Sequence, residues 1–218
     1  MRQFAACSLA LLCSACGQHD GPAPHSLSTE STGTQINPAR IDRTRGELPP
    51  GYEVSVATTV ATPLASWSLG EASVAVPPKC LILAAPAVGA PSARGWSASG
   101  PGGIVFAVVA ESDGAAPDSR LLAECGRWTL TSERSTATVI VASEHTVPGA
   151  PTMSMSATIT TVVEGGTETR SRADTFAAYL VGYLCFVTLV TDPGSPGPSL
   201  QPGFAADLLL SVVSALRG

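Results

Sequence analysis

The sequence predicts an α+β domain: a twisted antiparallel sheet with helices packed on it, including a C-terminal amphipathic helix. Three observations carry this. Segments with the two-residue alternation of half-buried strands recur from about Tyr52 to Val190. Helical patterns fall near the beginning and the end of that run, as in folds where helices and strands segregate. The chain has 218 residues, 44% of them hydrophobic, enough for one domain with a sizeable core.

Taken in order, the elements begin at Asn37-Pro38, an N-cap followed by proline in the first turn, which opens a short helix over Ala39–Gly46. Leu48-Pro49-Pro50-Gly51 is a turn, after which Tyr52, Val54 and Val56 alternate with polar or small residues. Strand patterns follow at Trp96–Ser99, Ile104–Glu111, Ala137–Ser143, Ser154–Val163 and Thr167–Asp174. Pro117–Cys125 reads as a helix with Leu121, Leu122 and Cys125 on one face. Phe176 to Val190 is apolar on both of its period-two faces, and predicts a central strand covered on each side, or on one side with an inner cavity on the other. Asp192–Gln201 is a Pro/Gly/Ser loop. Phe204, Leu208, Val212 and Leu216 form the stripe of the last helix, opposite Asp207, Ser211 and Ser214.

The first residues carry an address. Arg2 and the apolar run Phe4–Leu12 form the charged and hydrophobic regions of a signal peptide, too short to span a bilayer. Ser14-Ala15-Cys16-Gly17 then resembles a bacterial lipobox, with Cys13 where leucine is usual, and implies cleavage before Cys16 and its acylation. The expected organisation is a signal peptide over 1–15, an acylated flexible tether over 16–36, and a single extracytoplasmic domain over 37–218. Gly17–Ile36 is rich in Gly, Pro, Ser and Thr, and before Ile36 its one large apolar residue is Leu27, so it cannot offset the entropy of ordering. As a coil it reaches roughly 25 Å. The chain would be held at the membrane by acyl groups and not by a helix. Its formal net charge of −5, with no basic block, argues against nucleic acid as a partner.

Three cysteines remain for the domain, so it can hold at most one internal bridge, in a compartment oxidising enough to keep it. Cys80, after Pro77-Pro78-Lys79, and Cys125 both fall at ends of elements, where two backbones can meet. Cys185 lies inside an apolar strand and reads as a small hydrophobe. The expected disulfide is Cys80–Cys125.

Chemistry is sparse. His145 is the domain's one histidine, in a loop segment, while His19 and His25 belong to the tether. No HExxH, CxxC or metal-spaced histidine pair occurs, so neither a metal nor another cofactor is expected. Gly95-Trp96-Ser97-Ala98-Ser99-Gly100 approaches the G-x-S-x-G elbow but has Ser99 in place of the second glycine and runs into a hairpin turn. Ser97 or Ser99 with His145 would be the serine-hydrolase reading, and it is the minor one. Gly100-Pro101-Gly102-Gly103 lacks the lysine of a phosphate loop. Asp113 with Asp118, and Glu164 with Glu168, sit among turn residues and read as solvated.

The order of lipobox, Ser/Thr tether, L-P-P-G-Y-E-V (Leu48–Val54), P-P-K-C (Pro77–Cys80), G-W-S-A-S-G (Gly95–Gly100) and A-E-C-G-R-W (Ala123–Trp128) resembles an uncharacterised domain family of mycobacterial lipoproteins. More distantly it is similar to the extracellular sensor domains of mycobacterial serine/threonine kinases, which typically carry two bridges where this chain has room for one. The resemblance implies an α+β domain with a ligand cleft and bridging cysteines, and no catalytic residues. The expected function is therefore a non-catalytic ligand-binding or sensor-like domain at the cell membrane, for a lipid or glycolipid. Trp67, Trp96, Phe106, Tyr179 and Tyr183 are the candidate cleft lining, with core packing as the competing role for each. A protein–protein module of the envelope is the alternative, and would display an exposed patch in place of a cavity.

Overall fold

The computed structural model describes residues 35–57, 59–70, 72–86, 92–113, 115–142, 146–191, 200–201 and 203–218. The signal peptide, Cys16, His19, His25, His145 and most of the loop before the last helix lie outside them.

Asn37 opens the domain as expected, its side chain accepting from the backbone N–H of Ala39 at 3.0 Å and starting a 3-10 helix over Pro38–Glu47. The strands are β1 (Glu53–Val56), β2 (Val74–Val76), β3 (Ala93–Gly100), β4 (Gly103–Glu111), β5 (Arg127–Thr131), β6 (Ser135–Ala142), β7 (Thr152–Val162), β8 (Glu168–Leu180) and β9 (Tyr183–Thr191). The helices are α1 (Pro63–Ser66), α2 (Leu81–Ala84), α3 (Ser119–Glu124, capped by Asp118 at 2.7 Å) and α4 (Phe204–Arg217). All nine strands form one antiparallel sheet in the order β1-β3-β4-β9-β8-β7-β6-β5-β2. The hairpin β3–β4 joins the β5-to-β9 meander through the long-range β4–β9 pairing, and β1 and β2 close the edges, which is the α+β architecture expected.

One expected strand is two. Phe176–Val190 turns at Val181-Gly182, where Gly182 takes φ +76° and Val181 is 91% exposed, so its first half ends β8 and its second forms β9. The positive φ is one that glycine adopts without a Cβ clash, and the apolar run on each side hid the turn. The correction changes which residues share a face: Tyr179 pairs with Leu184 and Tyr183 with Leu180, on opposite sides of the sheet. Two elements, β2 and β5, and the short helix α1 carry no prior expectation.

Each face of the sheet buries its own core. On one, Trp67, Leu83, Trp128, Leu184 and Phe186 pack beneath α1, α2 and α3. On the other, Trp96, Val105, Val187 and Leu209 pack beneath α4 and the N-terminal helix, whose Ile41 is fully buried. Among the described residues both clusters are built between Ile36 and Leu216, and Thr34–Gly218 forms one compact unit.

The first layer is pinned by a chain of buried hydroxyls. Trp67 Nε1 donates to Thr175 Oγ1 at 2.9 Å, Thr175 and Thr188 share a 2.8 Å bond, and Ser66 Oγ lies 3.0 Å from Thr188 Oγ1. Ser66 also donates to the carbonyl of Pro63 at 2.6 Å. A hydroxyl has one proton to give, so Ser66, placed to donate to both Pro63 and Thr188, serves one of them at a time, while Trp67 donates to Thr175, and Thr175 and Thr188 share their bond. The chain of hydroxyls fixes α1 on the centre of β8 and β9. The expected disulfide Cys80–Cys125 joins the 3-10 turn before α2 to the end of α3, with 5.6 Å between the Cα atoms. Cys185 is free and fully buried, which pushes its thiol pKa up.

Candidate binding face

The helices leave part of the sheet bare. On β4, β9 and the end of β8 both faces are covered, but on β5, β6 and β7 only the face beneath α1–α3 is, where Leu130, Ala137, Val139, Ala157 and Ile159 are buried. The residues between them point the other way, onto a face that no helix among the described residues covers.

Register determines what that face presents. One row across the strands reads Val74, Thr131, Thr136, Thr160, Arg170. The next reads Val76, Thr129, Thr138, Thr158, Arg172. A third reads Arg127, Ile140, Ser156, Asp174. Six threonines on three adjacent strands thus form a two-by-three lattice, with neighbours about 4.8 Å apart across strands and about 6.7 Å along them. Among the described residues none of the six hydroxyls hydrogen-bonds to a protein partner. Each is free both to donate and to accept.

Two arginines stand at diagonal corners of the lattice. Arg170 continues the first row beyond β7, and Arg127 continues β5 beyond the second; neither has an ion-pair partner among the described residues. Arg172, between them on β8, is held instead by Asp174 at 2.9 Å, which raises the guanidinium pKa further. At its turn end the face deepens into a groove of about 590 Å³, where Thr131, Thr136 and Thr160 meet Val162 and the charged Glu133, Arg134, Glu164 and Glu168. A second groove, of about 620 Å³, shares the β5–β6 turn and runs against Gly70, Ala72, Ser73 and Val74. Val74 and Val76, 61% and 63% exposed, supply an apolar margin at the sheet edge.

The five aromatic candidates for a cleft do not meet. Trp67, Phe106 and Tyr179 belong to the layer under α1–α3, whereas Trp96 and Tyr183 belong to the layer under α4, with the sheet between the two groups. Trp96 is fully buried and its Nε1 donates to the carbonyl of Ile41 at 3.2 Å, which ties the N-terminal helix to the sheet. Tyr179 is 3% exposed, and burial raises its phenol pKa. Its hydroxyl and Trp128 Nε1 are buried with no hydrogen-bond partner. Core packing is thus the role the fold gives Trp67, Trp96 and Tyr179.

The glycine-flanked serines are a hairpin. Ser97 and Ser99 lie inside β3, and Gly100 pairs with Gly103 across a two-residue turn, so the strand-to-helix geometry of a nucleophile elbow is not formed. Gly100 is required because the ring of Tyr52 lies across it: a Cβ there would come within 2.6 Å of that ring. Tyr52 Oη in turn accepts from the backbone N–H of Gly102 at 3.1 Å. Among the described residues no group of three or more His, Cys, Asp or Glu side chains is placed to hold a metal ion.

Sequence reasoning missed the bare face. Its signal is present in Thr129-Leu-Thr131, Thr136-Ala-Thr138 and Ser154-Met-Ser156-Ala-Thr158-Ile-Thr160, where hydroxyl and apolar residues alternate without a break. Without β5 and the pairing of β6 with β7, the three segments could not be aligned into one surface.

A family model described as a domain of unknown function (DUF5642) matches residues 37–217. The fold is similar to the X-ray structure of an uncharacterized protein (Rv0999 ortholog) from Mycobacterium smegmatis, with a TM-score of 0.59 and 20% identity over 84% of this chain and 98% of that one. At that identity the likeness concerns the fold alone. No curated protein matches the chain.

Proposed function

The chain belongs to the DUF5642 family, a domain of unknown function whose membership brings a fold and no activity, and from that premise we propose that it is a lipoprotein of the cell envelope that binds a component of that envelope without catalysing a reaction. In this reading Cys16 carries the acyl anchor, the segment after it is the tether, and the domain acts outside the membrane.

The observation that carries the binding role is the bare sheet face, with six unpartnered threonine hydroxyls in register. A face that only had to be soluble is ordinarily a mixture of charged side chains. This one carries threonine at all six positions of two adjacent rows across three strands. The lipid or glycolipid cavity loses its expected lining, because Trp67, Trp96 and Tyr179 are spent on two separate cores. Recognition on the open surface is left, and a sensor-like role would use the same face.

The test is retention of residues 35–218 on washed envelope fragments. A Thr138→Glu, Thr158→Glu variant places two charges in the lattice, and a Ser211→Glu variant places one on α4, away from it. Retention lost at least tenfold in the first and kept in the second is expected. Equal retention of both, with each variant still folded by circular dichroism, would remove the face from the function. A retained lipid adduct in native mass spectrometry that survives the lattice variant would return the site to the interior.

A further inference from the structure

Resting on that reading, we infer that the bare face takes an extended, uncharged glycan, laid across the strands along the single row Val76, Thr129, Thr138, Thr158 and Arg172.

The charges on the face cancel. Along β8 its side chains run Glu168, Arg170, Arg172, Asp174, two acids around two arginines. The groove at the turn end sets Arg134 against Glu133 and Glu164, and Arg127 stands at the far corner. Among the described residues of the face guanidiniums and carboxylates are therefore equal in number, and no field of either sign is left to draw a charged polymer. A lipid tail needs a concave apolar site, whereas this surface is an open sheet whose groove is edged with charge. Protein interfaces concentrate their energy in aromatic and methionine anchors, and the row carries neither.

An uncharged sugar chain fits what is left. It presents hydroxyls at its edges and C–H groups on its faces, and each threonine offers a hydroxyl to the first and a methyl group to the second. The hydroxyls of Thr129, Thr138 and Thr158 have no protein partner among the described residues, so each pairs with a sugar hydroxyl in either sense. Val76, 63% exposed, closes one end of the row with methyl groups. At the other end Asp174 accepts from Nε of Arg172, at 3.0 and 2.9 Å to its two oxygens, which holds the guanidinium in one orientation. The two terminal nitrogens of Arg172 have no partner among the described residues, and a planar fork of N–H donors suits two neighbouring sugar hydroxyls. The row crosses five strands, β2, β5, β6, β7 and β8, which at about 4.8 Å each gives roughly 19 Å, the reach of a short oligosaccharide. All five contacts lie on one line, so one chain meets them together.

Retention of residues 35–218 on washed envelope fragments tests the inference once the fragments are divided and treated before binding. One portion is digested with protease, one is extracted with chloroform and methanol, and one is digested and then oxidised with periodate, which cleaves the carbon–carbon bond between neighbouring sugar hydroxyls. Retention should survive digestion and extraction and be lost after periodate. It should also persist in about 0.5 M salt, where the screening length falls to about 4 Å. A Thr129→Val, Thr138→Val, Thr158→Val variant keeps the methyl groups and loses the hydroxyls, and should be retained about tenfold more weakly with an unchanged melting temperature. Arg172→Lys keeps the charge and loses the fork, and should weaken retention about fivefold.

Loss on protease digestion would make the partner a protein, and loss on solvent extraction would make it a lipid. Either outcome overturns the glycan, as would retention that survives periodate, that disappears in salt, or that the triple valine variant leaves unchanged. If retention survives periodate and still falls in the Thr138→Glu, Thr158→Glu variant, the face stands and the sugar does not. If the parent domain is not retained on untreated fragments, both readings fall.

Discussion

The two halves of the sheet differ in what lies over them. Around β4 and β9 both faces are buried, one under α1–α3 and the other under α4 and the N-terminal helix. Around β5, β6 and β7 one face is buried and the other carries threonine. The same antiparallel ladder runs through both halves, so hydrogen bonding does not separate them. What separates them is the fate of every second side chain. In the covered half, sequence is constrained at each position by packing, and β9 runs Leu184-Cys-Phe-Val187 before its first polar residue in the core, the buried Thr188. In the bare half, half the positions are released from packing, and two unbroken rows of threonine there ask for another explanation.

Mutations should divide along that line. The largest effect is expected at Trp96→Ala in the covered half, at about 5 kcal/mol of unfolding free energy, the top of the range for deleting a buried aromatic. The ring is fully buried and its loss also strips the carbonyl of Ile41 of a donor. Urea unfolding measures it, and a loss below about 1 kcal/mol would mean that the N-terminal helix is not held by this contact.

Next comes the disulfide. Replacing Cys80 and Cys125 together by serine should cost roughly 4 kcal/mol for a closed loop of this length in the chain-entropy model. Because the bridge ties the short elements around α2 and α3, hydrogen exchange should rise there before it rises in α4. Uniform loosening would show that the two layers do not unfold separately.

Thr188→Val breaks the hydroxyl chain with little change of shape. It leaves Thr175 and Ser66 each short of a buried partner, at an expected cost of about 1–3 kcal/mol. If the chain merely fills space, the substitution will be neutral, and the anchoring of α1 must then come from Trp67 and Leu64 packing alone.

A smaller effect is electrostatic. Lys79 and Arg120 hold the Glu124 carboxyl below its usual value of 4.5 through hydrogen bonds, next to the disulfide. A depressed carboxylate contributes above its unfolded pKa, and the contribution is lost as pH falls through the folded value. Lys79→Gln should therefore move the Glu124 titration, followed by NMR, upward toward 4.5. The group is fully exposed, so melting temperature should hardly change.

The same contrast explains what was legible from the sequence. Strands with one buried and one bare face announce themselves by alternation, as β6 and β7 do, and α4 by its stripe of Leu208, Val212 and Leu216. The cysteine pairing followed from placement at element ends. Where both faces are buried the alternation vanishes, and with it the sign of a turn: β8 and β9 merged into one strand because nothing polar marks Val181-Gly182. The cleft failed for a related reason. Aromatic residues identify burial but not which side of a sheet they are buried on, and that depends on a register only the paired strands define.

The smallest expected effect is the most telling for the bare half. Thr138→Val removes one hydroxyl from the centre of the lattice and keeps the β-branched shape that suits a strand. A surface substitution away from any cap, charge or cavity ordinarily stays within about 0.5 kcal/mol, and valine there should be neutral or slightly stabilising in a thermal melt. Retention on envelope fragments should nevertheless fall, because one member of an otherwise continuous row of donors and acceptors is gone. A variant that is as stable as the parent and binds as well would mean that the hydroxyl at this position is there for solubility. A variant that is as stable and binds worse would separate the two halves by function as the structure separates them by burial.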